Sequence, residues 1–512
     1  MRGALIVGAG PTGLAVGCAL AAAGVPIRLV DRAEGPATTS RALGLQPRGV
    51  EVLDRLGALG DLPDRAVRLT DVVVHVNGRE TGRLHVGRPT PLVTRPGLVI
   101  SQAEIETELR RRLGELGCQV EWGREVTDVH QGVDGGNGVD GGNGGVLVRL
   151  GDETVRADWL VGCDGAHSRV RKAAGIGFPG APLVERFLLA DVHADLPFSR
   201  TSVSVWLRGA DLLGVFPLPD GTWRLMAPRP AGRESEPVAP LITALLAEHT
   251  GVPASAVRSF GWTSTFRIHR RLADTYRSGR VLLAGDAAHI HSPFGGQGMN
   301  TGLGDAENLG WKLALVARGR AGEGLLDSYE AERRPIATEV LGSTSTLTNL
   351  VLGEHPVARA ARDHLLAPML SRPLTQRLIW EHASQLRISY RGGPLGDHRL
   401  PLLHSGPTSG DRVSDVDCVR PDGTRTRLHA ELGARWALLA PRGGVDEACA
   451  RVARDRLGAD GVRVLTSLDD RQRTTFLVRP DAHLGWRGNA APDDLDRWLA
   501  GALRRGRVRR HR

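Results

Sequence analysis

Near the N-terminus the apolar run Ala4 to Val7 gives way to Gly8-Ala9-Gly10-Pro11-Thr12-Gly13. A small-residue helical pattern follows through Leu14, Cys18 and Leu20 to Gly24, then a second apolar run, Pro26 to Val30, closed by Asp31. This order of strand, glycine turn, helix, strand and acid leaves few folds open. The glycines permit a tight turn, close approach of backbone to a pyrophosphate and close helix-to-strand packing, while the helix N-terminus offers unpaired N–H groups to phosphate. Asp31 stands where a carboxylate accepts hydrogen bonds from a ribose hydroxyl pair. Gly8, Gly10, Thr12, Gly13, Asp31 and the adjoining Arg32 are therefore expected to bind a dinucleotide. The glycines and Pro11 also interrupt the stretch too often for a secretory leader.

Composition narrows the remaining classes. At roughly 150 residues per domain, 512 residues suggest about three domains. Apolar residues make up 41% and charged residues 24%, and no apolar run approaches the ~20 residues of a membrane helix. The net charge of +9 is spread thinly: Lys172 and Lys312 are the only lysines, and the one dense basic run is Arg504 to Arg512, read as a solvated terminus. No nucleic-acid or membrane partner is expected. Cys18, Cys118, Cys163, Cys418 and Cys449 have no CxxC or metal-ligand spacing, which points to buried thiols in a reducing, cytoplasmic setting and to no metal site.

Two later segments repeat the logic of an acid at a strand end. Asp158 to Gly162 leads into Cys163-Asp164-Gly165 and Ser168-Arg169-Val170-Arg171, and Arg280 to Ala284 leads into Gly285-Asp286-Ala-Ala-His289. Acids at the carboxyl edge of a parallel strand face the crevice where ligands bind. Asp286 suits a ribityl hydroxyl. Then comes Pro293-Phe-Gly295-Gly296-Gln297-Gly298-Met299-Asn300, feeding a helical pattern through Leu303, Ala306, Leu309 and Leu313. A glycine-rich loop entering a helix supplies backbone donors and a positive dipole end, suited to an anionic reduced flavin ring.

The glycine fingerprint, Cys163-Asp164-Gly165 and Gly285-Asp286, in that order and at these separations, resemble the class A flavoprotein monooxygenases, the aromatic hydroxylase family. Ser40 to Arg48 and Thr474 to Trp486 resemble more narrowly the phenol-hydroxylase-like branch that acts on aromatic polyketides and on rifampicin. The resemblance spans essentially the whole chain. It implies one FAD, NADPH or NADH as a transient reductant without a second fingerprint, O2 as co-substrate, and a flavin hydroperoxide that transfers one oxygen atom to an electron-rich aromatic substrate. It also implies roles for Arg41 at the FAD phosphates or flavin, Gln102 at the adenosine side and Val126 at adenine. Asp164 and Gly165 would serve the FAD and NAD(P)H regions jointly. With Gly285, Asp286, Pro293, Gly296, Gly298, Met299 and Asn300 these complete the expected cofactor site. Gln102 follows Ser101-x-x-Glu104, read as a reciprocal capping box.

The expected fold is α/β: a Rossmann-like FAD-binding domain over residues 1–179, with a small contribution near 72–100 to the next domain. An antiparallel substrate sheet over 180–268 is inserted into it, the FAD-binding domain resumes over 269–395, and a thioredoxin-like domain fills 396–512. Alternation through Val203, Val205 and Leu207, then Leu212 to Leu218 and Thr222 to Met226, carries the inserted sheet, with Trp206, Phe216, Trp223 and Met226 as candidate substrate contacts, about half of them core. The tandem Gly-Val-Asp-Gly-Gly-Asn between Gly132 and Gly145 reads as an elongated hairpin loop. A helix is expected over Val445 to Leu457.

Hydroxylation is the leading reaction. Baeyer–Villiger or epoxidising oxygenation on the same scaffold stays open, as does a non-catalytic FAD-fold binding protein, while a halogenase is disfavoured because no Trp-x-Trp-x-Ile-Pro element occurs. Arg224, His269 and His291 are candidates for a phenol base, none assigned as catalytic. A homodimer stays open.

Overall fold

A computed structural model describes residues 2–38, 42–87, 89–90, 92–132, 144–209, 211–291, 296–352, 360–396, 406–444, 446–489 and 491–504. Arg41, Pro293, the body of the tandem glycine repeat and all but the first residue of the basic tail lie outside these.

The N-terminal fingerprint builds the centre of a six-stranded sheet. Ala4–Val7 pairs in parallel with Ile27–Val30 on one side and with Trp159–Gly162 on the other, and Trp159–Gly162 pairs in parallel with Val281–Leu283. Val120–Glu121 and the antiparallel Arg277–Ser278 complete the two edges. Ala4–Val7, Trp159–Gly162 and Val281–Leu283 are uninterrupted apolar runs because each is buried along its whole length, in one core shared with the flanking helices and with the strands Val126–Gln131, Val146–Leu150 and Glu153–Ala157. Helix Pro11–Ala22 follows the first strand, and helix Gln102–Glu115 packs beside it. At the start of the latter, Ser101 Oγ accepts from the Ala103 N–H at 3.3 Å. The reciprocal half of the expected box is not made, because Glu104 turns outward to Arg65, a neighbour from a distant turn.

The inserted domain is an eight-stranded sheet, antiparallel but for one parallel pair. Its long strands Gly180–Ala194 and Val257–Leu272 pair along most of their length, and Asp71–Val76 with Arg79–His85 adds its outer edge. Leu98–Val99 instead joins a small separate sheet with Gly44–Leu45 and Val67–Arg68. Strand Val257–Leu272 runs past the expected boundary at 268 and pairs with His289–Ile290, just beyond the Gly285–Asp286 turn. One sheet therefore reaches directly to the neighbourhood of the Asp286 turn. Its other face is closed by helix Val238–Thr250, which buries Leu241, Ile242, Leu245 and Leu246 against Leu188, Val192, Leu213, Val215 and Leu225.

The C-terminal sheet has a parallel pair, Trp436–Ala440 and Val462–Ser467, linked through helix Glu447–Leu457. Antiparallel strands Thr475–Val478 and Leu484–Gly488 follow, then helix Pro492–Ala502. Helix Glu447–Leu457 starts two residues later than expected because Asp446 caps it, accepting from Ala448 N at 2.7 Å.

This sheet docks on the first domain through buried charge. Arg479 donates to both oxygens of Glu332, at 2.8 and 2.7 Å, and Lys312 Nζ donates to Glu332 at 2.7 Å; all three side chains are fully buried. Burial pushes the Lys312 ammonium down to about 8. Burial alone would raise the Glu332 carboxyl, but Arg479 and Lys312 outweigh it and hold it at about 2. A depressed carboxyl contributes stability that is complete above its unfolded value of ~4.3 and is lost as pH falls toward the folded one. Glu332→Gln is expected to lower the thermal midpoint near neutral pH, by the equivalent of ~3–5 kcal/mol for breaking a buried pair, and to flatten the acid limb of the midpoint–pH curve. A variant that keeps the wild-type acid limb would contradict this.

Candidate functional site

The three parallel pairings line up four strand ends at one edge of the six-stranded sheet. In spatial order they carry Gly285-Asp286, Cys163-Asp164-Gly165, Gly8 to Gly13, and Asp31. Strands lie ~4.8 Å apart, so the outer two ends are separated by three spacings, about 14 Å. The two acids thus bracket a single cleft across the carboxyl edge.

Steric need explains the glycines between them. Gly8 has φ +104°, and a Cβ there would stand 2.4 Å from the Cys163 carbonyl oxygen. A Cβ on Gly13 would stand 1.9 Å from the Gly8 carbonyl oxygen. Gly10 differs, because nothing lies within 4 Å of where its Cβ would be, so its side of the turn is open for backbone approach. Gly10 is also the N-cap of helix Pro11–Ala22, with no side-chain cap, which leaves the helix start free to receive an anion. Asp31 is anchored to the turn, since its two oxygens accept from Ala9 N at 2.6 Å and Ala33 N at 2.9 Å. Those bonds hold the carboxylate in place and leave further lone pairs for a ribose. Arg32 next to it is exposed, Gln102 is half-buried with its amide donating to Glu106 at 2.8 Å, and Val126 is buried at the start of its strand.

Thr12 does more than shape the loop. A Cβ on Gly285 would meet Thr12 Oγ1 at 2.5 Å, and one on Gly302 would meet it at 2.3 Å. The hydroxyl is thus wedged between the Gly285-Asp286 turn and helix Gly298–Ala317. Asp286 has solvent-accessible area, yet protein surrounds it closely enough that desolvation raises its carboxyl above the usual range, His289 opposing.

The second glycine loop is stitched to the first domain by Asn300, which is fully buried. Its Oδ1 accepts from Gln46 N at 2.8 Å, and its Nδ2 donates to Gly44 O at 2.9 Å and Gly296 O at 2.7 Å. Asn300 therefore shapes the loop with its side chain, and any ligand contact falls to its backbone. Gly298 begins the helix, Met299 is half-buried beside it, and His291 lies within 3.4 Å of where a Gly298 Cβ would be.

Asp164 is likewise occupied. Its carboxylate accepts from Ser168 Oγ at 2.5 Å, Arg169 N at 2.7 Å and Val170 N at 3.1 Å, capping the short helix Arg169–Ala173. Gly165 beside it has φ +77° and open space around it. Arg171 on that helix, buried and stacked 3.8 Å from the Phe178 ring centroid, donates to Ala287 O at 2.9 Å. It joins the two acid-bearing turns, a role that spacing alone did not reveal. Asp305 and Arg333 were also missed. Asp305 accepts from Gly285 N at 3.1 Å, pairs with His289 Nε2 at 2.6 Å, and accepts from Arg333 Nε at 2.8 Å. His289, which in sequence reads equally as a site residue or as a hydrogen-bonded core histidine, belongs to this cluster.

On the substrate sheet, the four expected residues divide by face. Trp206 and Trp223 are core, packed under helix Val238–Thr250, with Trp206 stacked on His75 at 4.6 Å. They are not chamber residues. Strand alternation decided this, since both share the helix-covered face. Phe216 and Met226 are half-buried on the opposite face, near the Arg224–Asp191 ion pair at 2.7 Å and the Phe187–Phe266 pair. The Phe216 ring folds over Gly214, where a Cβ would lie 2.9 Å from it.

The residues fit a flavin dinucleotide. Gly10 leaves backbone open, an uncapped helix N-terminus adjoins it, and Asp286 stands exposed on the same edge of the sheet. The chain belongs to the FAD binding domain family, whose profile matches residues 2–344. A 6-methylpretetramide 4-monooxygenase from Streptomyces rimosus is 37% identical over 94% of this chain and 90% of its own length. A rifampicin monooxygenase from Streptomyces venezuelae is 34% identical over 97% and 98%. A flavin-dependent monooxygenase solved with FAD and substrate superposes with a TM-score of 0.80 at 25% identity, over 98% of this chain and 99% of that one. The protein is an FAD-dependent monooxygenase of the aromatic hydroxylase type.

Because Asp286 has a raised carboxyl, its ionisation disfavours the folded apoprotein, and stability falls as pH rises from the unfolded toward the folded value. Asp286→Asn is expected to leave the apoprotein midpoint at or above wild type near neutral pH, with the difference shrinking on acidification. FAD affinity should fall by ~1.5–3 kcal/mol as an ionised acceptor is lost. Flavin titration and thermal melts check both, and unchanged affinity would remove the assignment.

Proposed function

We propose that the chain hydroxylates an aromatic, polyketide-type small molecule, using NADPH or NADH as transient reductant and O2 as co-substrate. The observation that carries this reading is the shared edge on which the first glycine turn, Asp31 and the Asp286 turn stand, next to a sheet whose open face presents Phe216 and Met226. The named relatives act on 6-methylpretetramide and on rifampicin, which supports a large aromatic substrate.

FAD held by the residues below would supply, when reduced by NADPH or NADH, the activation of O2 by which one oxygen atom reaches the substrate and the other leaves as water. The chain supplies position and dryness. Gly8, Gly10, Thr12 and Gly13 with the start of helix Pro11–Ala22 receive the pyrophosphate, and Asp31 with Arg32, Gln102 and Val126 receives the adenosine half. Gly285 and Asp286 take the ribityl chain. Backbone amides of Gly296 and of Gly298 to Asn300 would serve the ring, where the helix dipole would offset developing negative charge, and the family resemblance adds Pro293, which lies outside the described residues. The family resemblance would add Arg41, outside the described residues, at the flavin or its phosphates, and Asp164 and Gly165 at the shared FAD and NAD(P)H region. The eight-stranded sheet walls the substrate off from water, which protects an oxygen-transferring site from unproductive hydrolysis.

The division into FAD-binding, substrate-sheet and C-terminal domains follows the same reading. The parallel pair, crossover helix and antiparallel hairpin of the last domain support a thioredoxin-like fold that acts in stabilisation rather than thiol chemistry. A homodimer and a cytoplasmic location complete the proposal. Among the described residues no helix is long and apolar enough to cross a membrane.

The test is a purified, yellow protein that bleaches with NADPH or NADH under nitrogen and incorporates one labelled oxygen atom from O2 into a polycyclic phenol. A product with an inserted ring oxygen would assign Baeyer–Villiger chemistry instead, and a protein that cannot take up FAD would overturn the reading. Phe216→Ala should raise KM for the aromatic substrate with little change in thermal midpoint, whereas Trp223→Ala should cost ~3–5 kcal/mol of stability as a large core truncation. The reverse pattern would place the chamber on the wrong face.

A further inference from the structure

Among the described residues no main-chain hydrogen bond joins the Asp286 turn to the start of helix Gly298–Ala317, yet on the proposed reading both present backbone to one flavin. A single buried carboxylate links them. Asp305 lies on helix Gly298–Ala317, and its Oδ2 accepts from the Gly285 amide at 3.1 Å and pairs with His289 Nε2 at 2.6 Å. The turn is thereby gripped at its first residue and again just beyond its last. Asp305 Oδ1 accepts from Arg333 Nε at 2.8 Å. Arg333 passes on the connection, donating to Thr301 O at 3.0 Å in the first turn of the same helix and to the Tyr390 hydroxyl at 3.0 Å.

None of these groups reaches solvent. The Asp305 and His289 side chains are fully buried and Arg333 is 2% exposed. Burial would raise the Asp305 carboxyl, but His289 and Arg333 hold it below the ordinary range, so it is the ionised form that grips the turn. The helix sequence makes room for this contact, since a Cβ on Gly304 would stand 2.8 Å from the Arg333 guanidinium. Arg171 holds the far end of the turn through Ala287 O.

We propose that Asp305 is a positioning residue for the bound flavin: through the Gly285 amide and His289 it sets the Asp286 turn, and through Arg333 it keeps that turn in register with the amides at the start of helix Gly298–Ala317. It acts through these neighbours and does not touch the cofactor. The inference rests on the FAD site described above and assigns it a control point.

A merely structural ion pair and a positioning carboxylate part company when both charges are removed together. Replacing a buried pair by apolar residues of similar size is often neutral or stabilising, whereas removing one partner leaves a buried charge uncompensated. The double variant Asp305→Leu/Arg333→Met is therefore the critical one, with Asp305→Ala beside it. Apoprotein of each is titrated with FAD by flavin fluorescence, its thermal midpoint is recorded, and the midpoint potential of the reconstituted protein is measured. The expected result is a recovered thermal midpoint in the double variant together with FAD binding at least tenfold weaker than wild type and a shifted potential. Wild-type affinity and potential in the double variant would overturn the proposal, leaving Asp305 as a counter-ion for Arg333. Should neither variant fold, amide exchange in wild-type apoprotein reads the same contact. A Gly285 amide protected as strongly as the adjoining strand supports the grip, and exchange at the rate of a free loop overturns it. Failure of wild-type apoprotein to take up FAD is a different result and would overturn the cofactor assignment itself.

Discussion

The site depends on how closely two helices approach each other. Helix Pro11–Ala22 carries the first glycine turn and helix Gly298–Ala317 the second, and they touch through residues with almost no side chain. A Cβ on Gly310 would lie 2.5 Å from the Ala19 methyl, and Thr12 Oγ1 occupies the space that side chains on Gly285 and Gly302 would need. Close packing of this kind tolerates little added volume. It brings two uncapped helix starts, from opposite ends of the first 300 residues, onto one cleft. A larger residue at any of these contacts would push the two glycine turns apart.

Charge completes what packing begins. Buried ionic clusters radiate from helix Gly298–Ala317: Asp305 with His289 and Arg333 toward the Asp286 turn, Glu307 with Arg48 and Arg55 toward helix Pro47–Leu56, and Lys312 with Glu332 and Arg479 toward the C-terminal sheet. Arg48 also donates to Asp481 O at 2.8 Å, and Arg412 pairs with Glu51 across the same boundary. Such clusters add little net stability over apolar packing, but each demands one geometry, because a buried charge moved from its partner is costly. The C-terminal sheet is thereby joined to helix Gly298–Ala317, whose first turn follows the second glycine loop.

Particular residues show where reading a linear pattern stops. The Gly8–Gly13 turn, the acid at Asp31 and the Gly285-Asp286 segment were legible because local backbone chemistry demands those residue types at those spacings. The common edge they share follows from parallel pairing, which the apolar strand runs already implied. Asp164 and Asn300 were expected in the cofactor site, but not that their side chains are consumed in local hydrogen bonds, since their partners are decided by a helix start and by a loop more than 250 residues away. Trp206 and Trp223 could not be separated from Phe216 and Met226 by type, because all four are large and apolar; only the face each strand turns to helix Val238–Thr250 separates them. Glu104 offered a textual capping pair and found Arg65 instead.

From its sequence alone, the protein was bound to form a glycine-turn dinucleotide fold with an inserted sheet, because turn, strand and helix signals are local and act within a few residues. What only the tertiary structure decided is where the charged and aromatic side chains lie: Asp305, Arg333 and Arg171 behind the turns, Phe216 and Met226 on the sheet face away from helix Val238–Thr250, Trp206 and Trp223 in the core. Those assignments depend on contacts between segments far apart in the chain, where burial and pairing geometry, rather than residue type, determine what each group can do.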